Sequence, residues 1–447
     1  MLETLILSRI QFAANISFHI LFPTLTIALG WLLVFYKWRF NRTKDAMWLN
    51  VYFFWVKIFA LTFALGVVSG ITMSFQFGTN WPGFMEKVGN VAGPLLGYEV
   101  MTAFFMEATF LGVMLFGRGR VPEWLHNLAT VLVAVGTSIS AFWILVLNSW
   151  MHTPQGHEVI DGVVHVVSWR EVIFNPSLPY RLSHMLLASG LTACFVTVGI
   201  SAYQLLKSSH HKPALRSFKV AITAAAVLAP LQMLVGDMHG LNTLEHQPAK
   251  IAAMEGVWET ERGAPLLLFA VPNEKTRSND FAIEVPHLAS LILTHDFNGE
   301  IVGLNEFAPD HPSVKPLFFG FRIMVGMGVL MLLFSWFGAW KVHRGLALKP
   351  LVLRAFVVMT FSGWIATLAG WYVTEVGRQP WLVSGVLRTA DAVTPVAGSS
   401  VALTLALYLM IYTGLLYAYL RTIFYLANKS LSESPVPASD THKETIA

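Results

Sequence analysis

The residues that could do chemistry in this chain lie mainly inside long apolar stretches. The nitrogen and sulfur ligands among them are His19, His184 and Met324, and the carboxylates are Glu99 and Glu375. Ionisable side chains are costly in hydrocarbon, so such positions point to function by default. Isolated histidines, a methionine and buried carboxylates suit several haems with different ligand sets, although one buried histidine alone is more often structural.

The single cysteine narrows the redox chemistry that is available. One thiol, Cys194, cannot form a disulfide within the chain, and it cannot supply a CxxCH haem attachment site or a cysteine-ligated iron–sulfur cluster. Any redox cofactor must therefore be held by histidine, methionine or carboxylate side chains.

The elements that must position these residues are membrane helices. Charged residues make up 13% and hydrophobic residues 55% of the 447 residues, with a mean hydropathy of +0.58. This composition argues against a soluble enzyme and a nucleic-acid-binding protein, despite a net charge of +4. A helix needs about 20 apolar residues to cross the bilayer. Nine stretches qualify, and we call them spans 1 to 9: 13–36, 53–77, 94–116, 125–148, 181–206, 217–236, 316–340, 353–375 and 400–424.

The chain is thus predicted to be an all-α polytopic membrane protein, and its charges predict the orientation. Lys and Arg concentrate in the loops after spans 1, 3, 5 and 7 and in the tail, whereas residues 237–315 hold twelve acidic residues against five basic ones. Cytoplasmic loops carry the basic excess, so we expect a cytoplasmic C-terminus, an outer N-terminus and an outward-facing segment 237–315, which we call the insert. The predicted regions are 1–236 (spans 1 to 6), 237–315 (the insert), 316–424 (spans 7 to 9) and 425–447 (a cytoplasmic tail).

The unusual polar residues share one depth on this map. Those in the outer third of the membrane are His19, Glu99, His184, Arg322, Met324 and Glu375. Glu107 lies near the midplane, and Ser140 lies in the outer half of span 4. Only His19 and His184 among the histidines are expected well inside spans. A common depth across five spans predicts a single buried site layer beside the insert.

Five segments carry a family resemblance. They are SRIQFAANISFHILFP (8–23), GPLLGYEVMTAFFMEATFLG (93–112), QPAKIAAMEG (247–256), FRIMVG (321–326) and TEVGRQPW (374–381). In these segments, and over essentially its whole length, the chain resembles subunit I of cytochrome bd ubiquinol oxidases. The insert of 79 residues resembles the short-loop type of that family, close to the cyanide-insensitive oxidases.

The resemblance implies an activity, cofactors and partners. It implies a quinol:oxygen oxidoreductase of the bacterial cytoplasmic membrane that reduces dioxygen to water. The implied cofactors are a low-spin haem b, a high-spin haem b and a haem d. The implied protein partners are a second large subunit and a small single-helix subunit.

The resemblance also assigns the haem ligands. His184 and Met324 match the axial pair of the low-spin haem b, and Arg322 matches a charge beside a haem, with a snorkelling side chain as the alternative. The ligands that match the high-spin haems are His19 and Glu375, with Glu99 a carboxylate beside the same pair. Which of these three serves haem d stays open. Glu375 could instead be an interfacial carboxylate paired with Arg378.

Further residues match transfer paths in the family. Glu107 and Ser140 match a proton path from the cytoplasm, although Ser140 could equally be a small helix-packing residue. Trp371 matches a tryptophan between haems, in a chain that has 15 tryptophans. Lys250 and Glu255 match the quinol-oxidising loop; without the surrounding motif, a solvated charge pair would be the preferred interpretation.

Two rival functions remain at this stage. A secondary transporter or channel subunit would be expected to show internal repeats and midplane sites, and the sequence shows neither. A simpler di-haem, quinone-linked cytochrome b could even use His19 and His184 as ligands of one shared haem. Visible difference spectra would separate these rivals from the oxidase.

Overall fold

The computed structural model describes residues 2–432, and its membrane part is helical. Within that range, nine helices are long and apolar enough to cross a membrane. Each contains one of the nine predicted stretches, so the prediction of nine spans is confirmed. As observed, spans 1 to 9 are Leu2–Thr43, Ala46–Thr79, Pro82–Phe116, Glu123–His152, Leu178–Lys207, Lys212–His246, Val314–His343, Pro350–Val376 and Gly398–Lys429. Residues 433–447 of the predicted tail lie outside the described residues.

Span 1 is broken where a candidate ligand sits. It consists of helices Leu2–His19 and Leu21–Thr43, with the break at Ile20. Pro23 has no N–H to donate to the carbonyl of His19, and its ring crowds that carbonyl. The break therefore falls where the proline dictates it, and it leaves His19 at the end of the first segment.

Two other spans depart locally from the α-helix. Span 3 is made of Pro82–Glu99, a π-helical segment Val100–Phe104 and Phe105–Phe116. Span 8 is made of Pro350–Val358, a 3₁₀ turn Met359–Phe361 and Ser362–Val376. Single π turns inside α-helices often occur at functional sites.

Spans 4 and 6 are longer than their apolar stretches. Span 4 continues to His152 and span 6 to His246, whereas the hydrophobic runs end at 148 and 236. His152 and His239, which follow the apolar runs, are therefore helical as well. The insert packs on span 6, and its residues Gln247 and Lys250 contact His152 at the end of span 4.

The spans form two groups of four. Spans 1 to 4 pack in a ring, and spans 5 to 8 pack in a second ring, in which span 5 contacts spans 6 and 8 and span 7 contacts the same two. Span 1 packs on span 5 and joins the groups, and span 9 packs on the first segment of span 1. The largest apolar core lies in the first group and includes Trp55, Tyr52 and Phe59.

Short elements cap the bundle. The helix Pro248–Glu255, which we call the insert helix, starts with proline at its first position and ends at Gly256, whose φ of +72° suits a helix C-terminus. The other short helices are Trp169–Ile173, Leu288–Thr294 and the 3₁₀ turns Leu304–Phe307 and Thr389–Asp391. The strands are β1 (His157–Ile160), β2 (Val163–Val166), β3 (Glu261–Arg262), β4 (Leu266–Asn273), β5 (Ser278–Val285), β6 (Glu300–Ile301), β7 (Trp381–Val383) and β8 (Leu387–Arg388). They pair antiparallel as β1–β2, β3–β6, β4–β5 and β7–β8.

Candidate functional site

One cavity of about 850 Å³ joins most of the predicted site residues. Spans 1, 2, 3, 4 and 8 contribute to its walls. The predicted residues that line it are His19, Glu99, Glu107, Ser140, Trp371, Glu375 and Arg378. Of the six residues predicted to share one depth, His19, Glu99 and Glu375 line this cavity, whereas His184, Arg322 and Met324 do not.

Span 2 holds the ring of His19. Its Nδ1 lies 3.0 Å from Ser69 Oγ, while that hydroxyl lies within donating distance of the carbonyls of Leu65 (2.7 Å) and Gly66 (3.1 Å). Because the hydroxyl proton is directed to a carbonyl, Ser69 accepts from Nδ1–H of His19. In this tautomer Nε2 of His19 carries no proton and could act as a metal ligand. A second-shell hydrogen bond of this kind commonly orients a metal-binding histidine.

Glu99 and Glu107 both contact span 4. Ser140 Oγ donates to Glu99 Oε1 at 2.6 Å, so Ser140 is more than a small packing residue. Glu107 packs on Gly136, one turn earlier on span 4. Its side chain is buried, and its Oε1 has no hydrogen-bond partner among residues 2–432.

The π segment explains why both carboxylates face the same helix. In a regular α-helix of 3.6 residues per turn, residues 99 and 107 would point about 80° apart. One extra residue in the π turn removes about one residue's rotation and brings the two side chains within about 20° of each other. The segment Val100–Phe104 therefore aligns Glu99 and Glu107 along span 4.

Gly136→Ala is expected to displace Glu107 and to slow the oxygen reduction that the family resemblance implies by roughly tenfold, which is less than the about hundredfold or more that a positioned acid–base group contributes. A Cβ at position 136 would lie 2.6 Å from Glu107 Cγ and 3.3 Å from Met106 Cε, so the carboxylate must move. Single-turnover oxygen reduction by the purified complex measures the effect. The matched control is Gly414→Ala on span 9, where a Cβ meets nothing within 4 Å in the described chain. Equal rates for the two variants would contradict the assigned position of Glu107.

Glu375 lies at the end of span 8 in a polar setting. Asn148 Nδ2 donates to its Oε1 at 2.8 Å, and Arg378 Nη2 donates to its Oε2. His152 Nε2 lies 3.6 Å from Oε1, beyond good hydrogen-bond distance. The pairing with Arg378 that the sequence left open is thus present, and it is compatible with a ligand role because Glu375 also lines the cavity.

His184 and Met324 lie apart from the cavity walls, in the second group of spans. The ring of His184 packs on Gly236 and lies 5.5 Å from the ring of His239, and Gln232 Nε2 lies 3.2 Å from its Nε2. Met324 packs on Gly370, where a Cβ would lie 2.7 Å from Sδ. Gly370 precedes Trp371, so span 8 has Met324 on one side and the cavity on the other.

Lys250 and Glu255 lie on the insert helix, and both are buried, at 3% and 4% exposure. A solvated charge pair is therefore excluded. Lys250 Nζ donates to Gln247 Oε1 at 2.5 Å and lies 3.2 Å from His152 Nδ1. Glu255 instead pairs with Arg322 of span 7, with Nη2 3.4 Å from Oε2.

Arg322 ties span 7 to the insert and does not snorkel. It donates to the carbonyls of Leu267 and Met254 at 2.7 Å each, and its guanidinium lies 3.4 Å from the centroid of the Phe318 ring. Since Met324 is two residues further along the same helix, Arg322 connects Glu255 to the segment that carries a candidate haem ligand.

Burial shifts the titration of both insert residues. It raises the pKa of Glu255 above its ordinary value, and the neighbouring Arg322 partly offsets this. Burial also holds the pKa of Lys250 well below its ordinary value, with Arg181 and Arg378 acting in the same direction and Glu375 opposing them. Both groups can therefore exchange a proton more readily near neutral pH than a solvated Glu or Lys.

Sequence reasoning missed the polar residues that surround these positions. They are Asn148, His152, Arg181, Gln232 and His239. Two signals were available: His152 and His239 follow the apolar runs directly, and Arg181 lies one turn before His184. Asn148 and Gln232 gave no such signal, since one amide inside an apolar helix does not reveal its partner.

The donor set fits haem better than a bare metal ion. Among residues 2–432 no group of three or more His, Cys, Asp or Glu is arranged to hold a metal. Isolated donors suffice for haem iron, because the macrocycle occupies the remaining in-plane positions and the protein tunes the axial ones. The fold is that of a polytopic membrane protein, and its isolated His, Met and carboxylate donors are of the types that ligate haem iron.

Comparisons with known proteins identify the family of this chain. The family model of cytochrome bd terminal oxidase subunit I matches residues 7–431. The chain belongs to this family. It is 34% identical to the Bacillus subtilis cytochrome bd ubiquinol oxidase subunit 1 over 440 residues, covering 94% of each chain. It is 32% identical to the Escherichia coli cytochrome bd-II ubiquinol oxidase subunit 1, covering 98% of this chain and 99% of the relative.

A solved structure shows the same architecture. The bd oxidase from Geobacillus thermodenitrificans matches with a TM-score of 0.89 and 30% identity, over 96% of this chain and 99% of that chain. The resemblance that the five sequence segments indicated is confirmed, and so is the nine-helix fold.

Proposed function

We propose that this chain is the haem-bearing subunit of a terminal quinol oxidase, which oxidises membrane quinol beside the insert and reduces dioxygen to water. One observation supports this most strongly. The cavity that presents His19 and Glu375 adjoins, through Arg378 and His152, the buried insert helix with Lys250 and Glu255. Electron donor and electron acceptor sites are thus neighbours within one chain.

Three haems are proposed. The donors of this chain fall into two sets, because His19 and Glu375 line the cavity and His184 and Met324 do not. His184 and Met324 would hold the low-spin haem b, and His19 and Glu375 the high-spin haem b and haem d, with Glu99 beside them. When bound, the high-spin haems supply the iron at which dioxygen is reduced. Trp371 lines the cavity, and its neighbour Gly370 contacts Met324 of span 7, which suits a role for Trp371 in electron transfer between haems.

Protons for oxygen reduction would come from the cytoplasmic side. Glu107 lies deeper in span 3 than Glu99, and both line the cavity. Glu107 would pass protons toward Glu99, which Ser140 holds in place by its hydrogen bond. Hydrocarbon cannot carry protons, so carboxylates, hydroxyls and intervening water have to do so.

Quinol would be oxidised on the opposite, outer side. There Glu255 would accept a quinol proton and Lys250 would donate a hydrogen bond to a quinone oxygen. The basic loops at the other end of the bundle support this orientation. Release of protons outside and uptake inside would generate a membrane potential without a pump, in a bacterial cytoplasmic membrane.

The complex would include other chains. The relatives are named as subunit 1 of their oxidases, so we propose a second subunit for this chain, together with a small single-helix subunit. One relative is named a putative menaquinol oxidase and others are named ubiquinol oxidases, so the proposed substrate class is a membrane quinol.

The proposal is tested by a reduced-minus-oxidised visible spectrum of the purified complex. The oxidase should show b-type bands together with a red chlorin band from haem d. Bands of b type alone would favour the di-haem cytochrome, and a colourless protein would favour a transporter.

Glu255→Ala is expected to lower quinol turnover about a hundredfold while haem content stays intact. The variant removes the proposed proton acceptor, whose contribution as a general base is on this order. Quinol oxidation by the wild type should rise with pH through the raised pKa of Glu255, because the deprotonated carboxylate is the acceptor. Glu255→Gln should lack this limb of the pH profile. Steady-state oxygen consumption with a soluble quinol measures both.

Glu259→Ala is the matched control, since Glu259 is an exposed glutamate four residues further along the insert, beyond the end of the insert helix. Its turnover and pH profile should equal those of the wild type. Loss of haem in Glu255→Ala, with normal haem in the control, would assign Glu255 a structural role instead.

A further inference from the structure

A β-hairpin of the insert exposes apolar side chains. It is formed by β4 and β5, which pair antiparallel, and we call it the insert hairpin. Its exposed apolar residues, which we call the apolar patch, are Leu268, Phe269, Phe281 and Ile283. Phe269 and Ile283 are direct partners in the ladder, so the patch extends across both strands. Exposed apolar patches of this kind mark contact with another protein or with a membrane.

The insert hairpin runs alongside the start of span 7. The buried side chain of Leu267 packs with Phe318, and the carbonyl of Leu267 accepts from Arg322 Nε at 2.7 Å. Near the turn of the hairpin, Glu274 Oε1 accepts from the backbone N–H of Val314 at 2.9 Å. β4 is therefore antiparallel to span 7, with the turn of the hairpin beside the first residue of span 7 and the base of the hairpin further along it.

The apolar patch continues directly into an apolar stripe of span 7. The ring of Phe269 lies 6.4 Å, between centroids, from the ring of Phe319. Exposed residues then follow every three or four positions along span 7, and they are Ile323, Gly326, Leu330, Leu333, Phe337 and Trp340. Residues at this spacing share one face of a helix. On a helix long enough to cross the membrane, an apolar face of this length suits hydrocarbon.

The length of the stripe places the hairpin at a bilayer boundary. Trp340 follows Phe319 by 21 residues, which is about 31 Å along an α-helix. The hydrocarbon core of a bilayer is about 30 Å thick. Tryptophan is enriched at membrane interfaces, so the exposed Trp336 and Trp340 mark one boundary. Phe319, and with it Phe269 of the hairpin, then lies at the other boundary.

Polarity changes along the insert hairpin in the sense that a boundary requires. The turn carries the exposed charges of Glu274 and Lys275, whereas the apolar patch lies nearer the base. Glu284 alternates with the apolar residues of β5 and lies toward the polar part of the insert. Burial raises the pKa of Glu261 on β3, and the nearby carboxylate of Glu284 adds to this effect. Elements that lie in a membrane interface separate apolar and charged surfaces in this way.

Phe281 is the most exposed member of the apolar patch. Its side chain is 82% exposed, and its φ is +56°, a region that bulky residues rarely adopt. In water, both the backbone conformation and the exposed ring cost free energy. Contact with acyl chains would remove the ring from water and offset these costs.

We propose that the apolar patch of the insert hairpin docks into the bilayer boundary beside the start of span 7, with membrane phospholipid as its partner. The docking depends on the fold and not on the proposed quinol oxidation. The hairpin is also tied to the insert helix. Arg322 bonds both the carbonyl of Leu267 and the carboxylate of Glu255, and Asn279 Nδ2 donates to the carbonyl of Gly256 at 2.8 Å. The docked hairpin therefore holds the insert helix at the bilayer boundary.

A fluorescent label at position 281 of the complete membrane complex tests the docking. Phe281→Cys supplies the thiol, because Cys194 is buried, and the wild-type complex treated in the same way gives the background. In vesicles of phosphatidylcholine and phosphatidylglycerol, lipids that carry a nitroxide on the acyl chain should quench the label, and aqueous iodide should not. The depth obtained from nitroxides at different acyl positions should be about 5–10 Å into the boundary between headgroups and acyl chains.

Lys275→Cys is the matched control, since Lys275 is exposed on the turn of the same hairpin. Its label should be quenched by iodide and not by the nitroxide lipids. If iodide quenches the labels at 275 and 281 equally, the apolar patch lies in water and the proposal is overturned.

The remaining outcomes distinguish lipid from protein as the partner. A label at 281 that neither quencher reaches would show that another subunit covers the apolar patch, and this overturns docking to lipid. If the Phe281→Cys complex does not assemble, Ile283→Cys in the same patch is judged by the same criteria. A docked complex that does not oxidise quinol would refute the proposed function and leave the docking intact.

Discussion

His184→Ala should abolish the low-spin b-type signal and reduce quinol:oxygen turnover at least about a hundredfold, equivalent to about 2.7 kcal/mol. Alanine offers no ligand, and a six-coordinate electron-transfer haem needs both of its axial partners. His184 lies in a setting that orients it, between Gly236, Gln232 and His239. Reduced-minus-oxidised spectra and oxygen consumption measure the two effects. High-spin bands should persist, since His19 and Glu375 line the cavity and His184 does not.

The neighbouring His239 is a second candidate for the axial ligand, so the test includes it. Its ring lies 5.5 Å from that of His184, so it is the nearest alternative ligand on span 6. If the low-spin signal survives in His184→Ala and disappears in His239→Ala, the axial ligand is His239 and our assignment is wrong. His343→Ala is the control, because His343 ends span 7 in a hydrogen bond to Thr223 at 3.1 Å. Its spectrum should match the wild type.

The spans could be predicted from the sequence because crossing a bilayer depends only on the length of a continuous apolar stretch. A run of about 20 apolar residues is sufficient, and all nine runs proved to be helices. The ends were less predictable. Spans 4 and 6 continue as helices into polar sequence that the insert contacts. A hydropathy profile reads only neighbouring residues, so it does not detect burial by residues that are distant in the chain. Hydropathy therefore does not reveal that His152 and His239 are helical.

The candidate site was also predictable from the sequence only in part. The common depth of His19, Glu99 and Glu375 was readable from their positions along the spans, and all three line one cavity. The partner of Arg322 was not readable, because Glu255 lies 67 residues away and the pair forms only when the insert folds back onto span 7. The depth of a residue in the membrane follows from its position along the span. The direction in which its side chain points depends on the rotation and packing of the helix.

The π segment of span 3 is the clearest case of a facing relation hidden in the sequence. A single extra residue between positions 99 and 107 changes the direction in which Glu107 points. No residue type in Val100–Phe104 predicts this π turn. The regular α-helix that the sequence suggests would turn one of the two carboxylates away from span 4. The observed contacts of Glu99 with Ser140 and of Glu107 with Gly136 show the alignment.

Glu107→Gln should slow oxygen reduction about a hundredfold, with haem bands unchanged. Glutamine keeps the shape of the side chain but cannot take up and release a proton, and a positioned acid–base group contributes on this order. Glu107 is buried and lines the cavity, and its Oε1 has no hydrogen-bond partner among residues 2–432. Proton uptake during a single turnover of the reduced complex with oxygen, followed by a pH-sensitive dye, reports on this step directly.

Glu86→Gln provides the matched comparison on the same span, because Glu86 is exposed near its start. Uptake should slow in Glu107→Gln and remain unchanged in Glu86→Gln. Slowing in Glu107→Gln and in Gly136→Ala together would mean that both the proton-carrying group and its place against span 4 matter. An unchanged uptake rate in Glu107→Gln would remove this residue from the path and leave its burial unexplained by proton transfer. The π segment would then have to be explained by packing alone.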